Sequence, residues 1–325
     1  MKAIIVKQPG GPECLELADV PDPALREGHV VVAVKATALN RADLLQRRGM
    51  YPPPKGETDI LGLECAGVVE EVGTGVTSLH EGDRVMALLG GGGYAERVVI
   101  HEKMAIPIPA DMSFTDAAAI PEAFLTAREA LFTLGRVRAD DTVLVHASAG
   151  GVGSAAVQLA RNAGAVVVAT AGSAEKLVKV KELGAAFPVD YKTQDFVQVV
   201  NEASRGRGAS VVLDFVGASY WPKHAACLSV GGRCVVIGVL GGASAEVNLA
   251  QLLMRRYQIL GLVMRSRELS DKIAITQAFV RESLPHFASG ALRPVIDSVF
   301  PLADAGRAHE RMESNANVGK IVLSV

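Results

Sequence analysis

Cysteine is scarce and scattered. The 325 residues hold four, Cys14, Cys65, Cys227 and Cys234, with no CxxC pair. A disulfide framework is thereby disfavoured, and reduced, mostly buried thiols in a reducing compartment are the simplest expectation. Charge of one sign is nowhere concentrated, and the formal net charge is −2. Bulk attraction to nucleic acid or to an anionic membrane is therefore not expected. The local basic cluster of Arg255, Arg256, Arg265 and Arg267 reads as a solvated face or as phosphate contacts rather than as an RNA-binding patch. No apolar run of about 20 residues is free of charges or turn formers, so no membrane span is expected. The apolar start Met1-Lys2-Ala3-Ile4-Ile5-Val6 is too short for a signal peptide and reads as a first strand, consistent with a cytoplasmic protein. Aromatics are few, at 5%. Glycine is abundant, and apolar residues are about half of the chain, the composition of an α/β enzyme rather than of a disordered or fibrous chain.

The length implies two domains at roughly 100–200 residues each. Up to about residue 120 the chain reads as short strands with Gly and Pro punctuation: Met1 to Lys7, Val30 to Ala38, Gly67 to Gly73 and Gly82 to Ala87, then a loop of four glycines, Gly90 to Gly93. Near Ser113 the rhythm changes to strands alternating with helices. The strands are Asp141 to His146, Ala165 to Thr170, Phe187 to Asp190, Ala209 to Asp214 and Gly232 to Gly238. The helices are Ser154 to Ala163 and Glu175 to Leu183. That alternation predicts βαβ units and a parallel sheet. The last stretch, with a helix at Ala303 to Met312 and a strand at Lys320 to Val325, is expected to return to the first domain. The expected division is residues 1–120 with 291–325 as a β-rich domain, and 121–290 as a dinucleotide-binding domain.

The segment Val143-Leu144-Val145-His146-Ala147-Ser148-Ala149-Gly150-Gly151-Val152-Gly153 lies between a predicted strand and a predicted helix. Gly150 and Gly153 match the last two glycines of a dinucleotide fingerprint, with Ser148 at the first position. A pyrophosphate must approach backbone N–H groups at a helix N-terminus, where side chains would block it, and Gly153 permits close helix–strand packing. The end of the second strand reads Ala171-Gly172-Ser173-Ala174-Glu175-Lys176, with no acid at the strand end to hold a ribose 2′-hydroxyl. Ser173 and the ammonium of Lys176 suit a 2′-phosphate, and NADPH is the expected cofactor. Glu175 is a complication, set off from Lys176 by its direction at a helix start. The competing explanation is a plain helix cap followed by a surface lysine.

Six segments carry a resemblance: Ala38-Leu39-Asn40-Arg41-Ala42-Asp43, Leu61-Gly62-Leu63-Glu64-Cys65-Ala66-Gly67, Ala117 to Ala123, the Gly150 to Gly153 loop, Thr170-Ala171-Gly172-Ser173, and Asn317 to Leu323. Over nearly its whole length the chain resembles the medium-chain dehydrogenase/reductase superfamily, in its zinc-free quinone oxidoreductase branch of zeta-crystallin-like, stress-inducible enzymes. The resemblance implies a GroES-like β-rich catalytic domain and a Rossmann-type cofactor domain. Alcohol dehydrogenase relatives place a zinc-ligand cysteine where Asn40 stands, a ligand histidine where Leu63 stands, and a lobe of four cysteines after the strand matching Asp83 to Leu88. Zinc needs about four N, S or O ligands, and these positions do not supply them.

The resemblance further implies that Gly150, Gly151, Val152 and Gly153 meet the pyrophosphate, and that Ser173, Lys176 and Tyr191 meet the adenosine phosphate. Ile237 to Leu240 would line the nicotinamide side. Thr126, Val263, Arg265 and Asn317 are weaker carry-overs, for which packing or solvation is a competing explanation. Asn40 and Tyr51 are the polar groups expected at the mouth of an apolar cleft between the domains, and Tyr51 is counted with the cofactor contacts too. Against these roles, Asn40 could be a turn residue and Tyr51 a loop aromatic. The expected activity is reduction of a quinone or related carbonyl by hydride transfer from NADPH without a metal. An enoyl reductase using Tyr51 as proton donor is the alternative within enzymes. A structural crystallin-like or RNA-binding protein is the alternative of another class. A homodimer is expected, through the strand Gly232 to Gly238 and the segment Ala243 to Leu253 near a presumed sheet edge.

Overall fold

A computed structural model describes all 325 residues. In chain order its strands are β1 (Lys2–Val6), β2 (Leu15–Asp19), β3 (His29–Ala38), β4 (Glu64–Val72), β5 (Arg84–Leu88), β6 (Arg97–His101), β7 (Ile106–Pro107), β8 (Thr142–Val145), β9 (Val166–Ala171), β10 (Phe187–Asp190), β11 (Ala209–Asp214), β12 (Leu228–Val236), β13 (Gln258–Gly261), β14 (Ile296–Pro301) and β15 (Lys320–Ser324). The chain divides into two compact units, Met1–Leu125 with Met264–Val325, and Thr126–Val263.

The first unit is built on β3. This ten-residue strand pairs with β4 along one edge. Its other edge is shared by β6, on its N-terminal half, and β15, on its C-terminal end, in a sheet of order β14-β15-β3-β4-β5-β7. Its valines pack on both faces of the pleat, and Val30, Val32 and Val34 meet Cys65, Val69, Val85, Val98 and Ile100. A second core joins Ile4, Leu39, Leu61, Tyr94, Leu302, Ile321 and Leu323. β4 approaches β3 so closely that a Cβ on Gly67 would lie 2.2 Å from the carbonyl oxygen of Ala33, so only glycine fits there. The antiparallel register matters most. Val322 lies opposite Ala38, and Ala36 opposite Ala66, so the start of β15, the end of β3 and the start of β4 converge. Lys320, Asn40 and Glu64 are brought together as a result.

The second unit is a wholly parallel sheet of order β10-β9-β8-β11-β12-β13. This is the doubly wound order of a dinucleotide-binding fold, with the order reversing at β8 and β11. Helices Gly151–Asn162 and Ala174–Leu183 follow β8 and β9, close to their expected positions. The central strands are Val- and Leu-rich because a sheet covered on both faces has no polar side.

Two boundaries differ from the sequence expectation. Residues 264–290, expected with the cofactor domain, fall in the first unit. Within it Thr276 Oγ1 lies 3.7 Å from the Met104 sulfur, Gln277 Nε2 donates to the carbonyl of Lys103 at 2.9 Å, and the Phe287 ring meets Phe124 edge-on at 4.8 Å. The strand expected at the sheet edge is also one place in from it. β12 pairs with both β11 and β13, and the short β13 is the open edge. Periodicity does not register a four-residue strand of mixed polarity such as Gln258–Gly261. No helix is long and apolar enough to cross a membrane.

Candidate functional site

Two constellations carry chemistry, one in each unit. In the second unit, β8 runs out through His146 into Ala147, which adopts a left-handed backbone (φ 44°). Ser148, at the first fingerprint position, is buried, and its Oγ donates to the carbonyl of Thr170 at 2.8 Å. The side chain thus ties the turn to the neighbouring strand. Gly150 donates to the carbonyl of Ala147 at 2.9 Å, and the helical ladder begins with the amide of Ser154. The N–H groups of Gly151, Val152 and Gly153 have no acceptor within the helix and form the anion-receptive end of its dipole. A Cβ on Gly153 would stand 2.4 Å from the Ala147 carbonyl oxygen, so the close helix–strand packing demands glycine. These features fit a dinucleotide phosphate.

The end of β9 gathers the residues expected near the adenosine. Ser173 caps helix Ala174–Leu183 and accepts from the Lys176 amide at 3.4 Å. The Tyr191 phenol lies against Gly172, where a Cβ would be 2.6 Å from its hydroxyl oxygen. Lys176 stands on the first turn of the capped helix, partly buried. Beyond β12, Ile237 donates to the Asp214 carbonyl at 2.7 Å, and Leu240 projects to solvent, 65% exposed. Thr126 is buried with its hydroxyl unpartnered, and Val263 is exposed.

In the first unit, the buried ammonium of Lys320 donates to Glu64 Oε1 at 2.6 Å, to Asn40 Oδ1 at 2.7 Å and to the Leu39 carbonyl at 2.7 Å. All three of its N–H donors are used. Asn40 Nδ2 donates to Glu64 Oε1 at 2.9 Å, and Glu64 Oε2 accepts the amide of Glu122 at 2.9 Å. Asn40 also opens helix Arg41–Arg47, its amide donating to Asp43 Oδ2 at 2.7 Å. Burial pushes the Asp43 carboxyl up to about 6, against the lowering effect of the Asn40 amide and of Lys320. Tyr94 donates to Asp43 at 3.2 Å and faces His309, which burial and Arg47 push down to about 3. Glu122, at the start of helix Pro121–Arg128, is pushed up to about 8, first by burial and then by the charge of Glu64.

Arg265 spans the rest of this unit's site. It is 5% exposed. Its Nε donates to the Gly90 carbonyl at 2.7 Å and its Nη1 to the Tyr51 carbonyl at 3.3 Å, and its guanidinium lies over the Tyr51 ring at 5.2 Å. Nη2 is buried without a partner. Burial raises the Tyr51 phenol above its ordinary range; Arg265 opposes this and Glu122 adds to it, so the hydroxyl remains a donor at neutral pH. A cavity of about 340 Å³ lies beside Arg265, lined also by Pro54, Glu57, Leu89, Gly90 and Lys272. Asn317 donates to the Gly319 carbonyl at 2.9 Å and shapes the turn into β15.

The first unit therefore brings together Asn40 with Glu64 and Lys320, and Tyr51 with Arg265. Sequence reasoning did not single out Lys320, Glu122 or Asp43 as site members. The available signals were a lysine opening the apolar run Lys320–Ser324 and an acid three residues after Asn40 at a helix start.

Comparison with known proteins follows this geometry. Residues 26–110 match the family described as "Alcohol dehydrogenase GroES-like domain", and residues 151–278 the family described as "Zinc-binding dehydrogenase". The chain is 33% identical over 329 residues to the quinone oxidoreductase of Rattus norvegicus, covering 99% of this chain and 97% of that one. It is 35% identical to a Danio rerio synaptic vesicle membrane protein VAT-1 homolog, of whose length it spans 65%. A quinone oxidoreductase structure from Pseudomonas syringae pv. Tomato DC3000 superposes with a TM-score of 0.90 at 34% identity, covering 100% of this chain and 99% of that one. A mycobacterial structure complexed with NADPH has a TM-score of 0.88 at 31% identity and full coverage of both chains. The chain belongs to the medium-chain dehydrogenase/reductase superfamily, in its quinone oxidoreductase branch, and is an oxidoreductase.

The zinc named in that family description does not fit the donors in the first unit. Asn40 presents an amide already hydrogen-bonded at both ends, Leu63 has no donor atom, and the Lys320 ammonium sits 2.7 Å from Asn40 Oδ1. A cation of the protein's own thus occupies the coordinating oxygen.

The raised pKa of Glu122 has a thermodynamic signature. A free glutamate loses its proton near 4.5, whereas the folded chain keeps it to about 8. Across that window the folded state binds more protons, so stability falls as pH rises. Glu122→Gln should flatten this decline. Calorimetric melting between pH 5 and 8.5 checks it, and parallel curves for the two proteins would refute the assignment.

Proposed function

We propose that this chain reduces quinones with NADPH as hydride donor and uses no metal. The observation that carries the reading is the pairing of two features: a nucleotide turn whose adjoining strand end presents Ser173, Lys176 and Tyr191 and no acid, and a buried polar cluster organised by Lys320 instead of zinc ligands. The related quinone oxidoreductases and the NADPH-bound structural neighbour support it.

When bound, the nicotinamide supplies the hydride. The chain's residues supply the rest. The amides of Gly151 to Gly153 would hold the pyrophosphate, and Lys176 and Ser173 the 2′-phosphate. Ile237 and Leu240 would border the nicotinamide, with Thr126, Val263 and Asn317 as further contacts. Tyr51, kept protonated, donates a hydrogen bond to the acceptor oxygen as negative charge develops there. Arg265 holds the Tyr51 backbone to that of Gly90 and steadies the phenol. Asn40 has both ends of its amide engaged, so its part is to fix Glu64 and Lys320 rather than to donate to the acceptor. A quinone suits this equipment because its reduced anion is stabilised by aromaticity and can collect its proton from water.

Lys176→Ala should weaken NADPH binding by about 10-fold to 100-fold, the loss of one charge-assisted contact, and leave NADH nearly unchanged. Titration of both nucleotides checks this, and equal losses would show that Lys176 does not read the phosphate. Tyr51→Phe should lower kcat/KM for a quinone by roughly 2-fold to 10-fold, one neutral hydrogen bond. For an enone, whose carbanion-like product needs a positioned acid, the fall should be about 10²-fold or more. Rates for both acceptor classes, with nucleotide affinity measured separately, decide it. A quinone rate that collapses by several decades would instead make Tyr51 an obligatory acid, and an enone preferred over every quinone by wild type would favour the enoyl reductase reading.

A further inference from the structure

The second unit contains a buried polar chain that the proposed chemistry does not use. His146 Nδ1 lies 2.9 Å from Thr170 Oγ1, and His146 Nε2 lies 2.9 Å from His224 Nε2. His224 Nδ1 faces Asp214 Oδ2 at 3.6 Å and Cys234 Sγ at 3.9 Å. Both imidazoles are wholly buried, and His146 is clasped edge-on by Phe196 and Tyr220 at 4.9 and 5.0 Å. The Asp214 carboxylate, which can only accept, lies nearer to His224 Nδ1 than the Cys234 thiol does, and we assign the tautomer from its charge. With the proton assigned to His224 Nδ1, beside the carboxylate, Nε2 of His224 is the acceptor. His146 then donates from Nε2 and accepts the Thr170 hydroxyl proton at Nδ1. Every ring nitrogen has a role, and neither ring has room for a second proton. Burial holds both below their ordinary range in keeping with this.

The chain ends where the nucleotide loops begin. His146 is joined to Ala147, whose left-handed backbone is strained for a residue with a Cβ and persists only where its surroundings hold it. The Ala147 carbonyl in turn receives the Gly150 amide and abuts Gly153. At the other end, Asp214 Oδ1 accepts the amides of Val216 at 2.8 Å and Gly217 at 2.9 Å, and the Asp214 carbonyl accepts those of Ile237 and Gly238. One buried cluster thus pins three loops at the strand ends of the sheet. An ion shared by Asp214, His224 and Cys234 explains less, because burial pushes the Cys234 thiol far up and Asp214 Oδ1 is already engaged by two amides.

We propose that His224 is a positioning residue for nucleotide binding, acting through His146 on the phosphate turn and through Asp214 on the loops after β11 and β12. The inference rests on the nucleotide-binding reading above. When a loop leaves its binding-competent form, apparent affinity falls in proportion to the fraction lost.

The test is NADPH affinity by titration, with kcat at saturating NADPH and quinone. His224→Leu leaves the His146 donor buried and unpaired, and should weaken NADPH by about 10-fold or more with kcat within about twofold. His224→Gln, whose amide both accepts and donates, should recover affinity to within about threefold of wild type. Thr170→Val removes the hydroxyl at the far end of the chain without changing its volume, should cost about threefold, and carries the test should His224→Leu not fold. Unchanged NADPH affinity in a folded His224→Leu or Thr170→Val overturns the proposal, as does a glutamine variant no better than leucine. Wild type that binds no nicotinamide nucleotide overturns the functional reading and this inference with it.

Discussion

A buried ammonium left unpaired is strongly destabilising, and Lys320 avoids that with three oxygen acceptors drawn from two places in the chain, the residues just after β3 and the start of β4. The carboxylate of Glu64 supplies the countercharge, the amide of Asn40 bridges the two, and the Leu39 carbonyl closes the set. Because those groups sit at the junction of β3, β4 and β15, the ion cluster and the sheet register specify one another. A one-residue slip of β15 would turn Lys320 to the opposite face and leave Glu64 uncompensated. The consequences reach outward. Glu64 receives the Glu122 amide, and burial together with the Glu64 charge keeps the Glu122 carboxyl protonated.

In the second unit the corresponding constraint is close approach rather than charge. In the proposed phosphate turn the helix after β8 starts against the backbone of Ala147, a close approach that Gly153 permits and that the buried histidine pair is proposed to hold in place. Both units therefore expose few functional atoms and spend many buried ones in aiming them. Stability and function are coupled in such a design, because loosening the supporting cluster misplaces the donors before it unfolds the chain.

Much of this was legible in the sequence. The strand–glycine turn–helix unit, the alternating second half and the return of the C-terminal strand to the first unit follow from periodicity and punctuation, and helix Ala305–Glu313 lies close to its expected place. The missing acid at the end of β9 is readable because it is a single position at a known offset. What was not legible depends on register and on tertiary burial. Asn40 reads as a free polar group until β15 brings Lys320 to it. Glu122 reads as an ordinary first-turn acid until the Glu64 carboxylate is placed beside its backbone. His146 and His224, 78 residues apart, give no pattern at all in one dimension. The short β13 and the membership of residues 264–290 in the first unit were missed for the same reason, since packing partners rather than local propensity decide them.

The central claim is that a lysine-organised cluster stands in for a metal in an NADPH-dependent quinone reductase. Its most direct test is metal content and quinone-dependent NADPH oxidation, measured on the same sample after exhaustive dialysis against a chelator. The account predicts a full rate with zinc far below one per chain, on the order of a tenth or less, since no ligand set of about four donors is present at Asn40 and Leu63. A rate that disappears with the metal and returns on addition of zinc would contradict it.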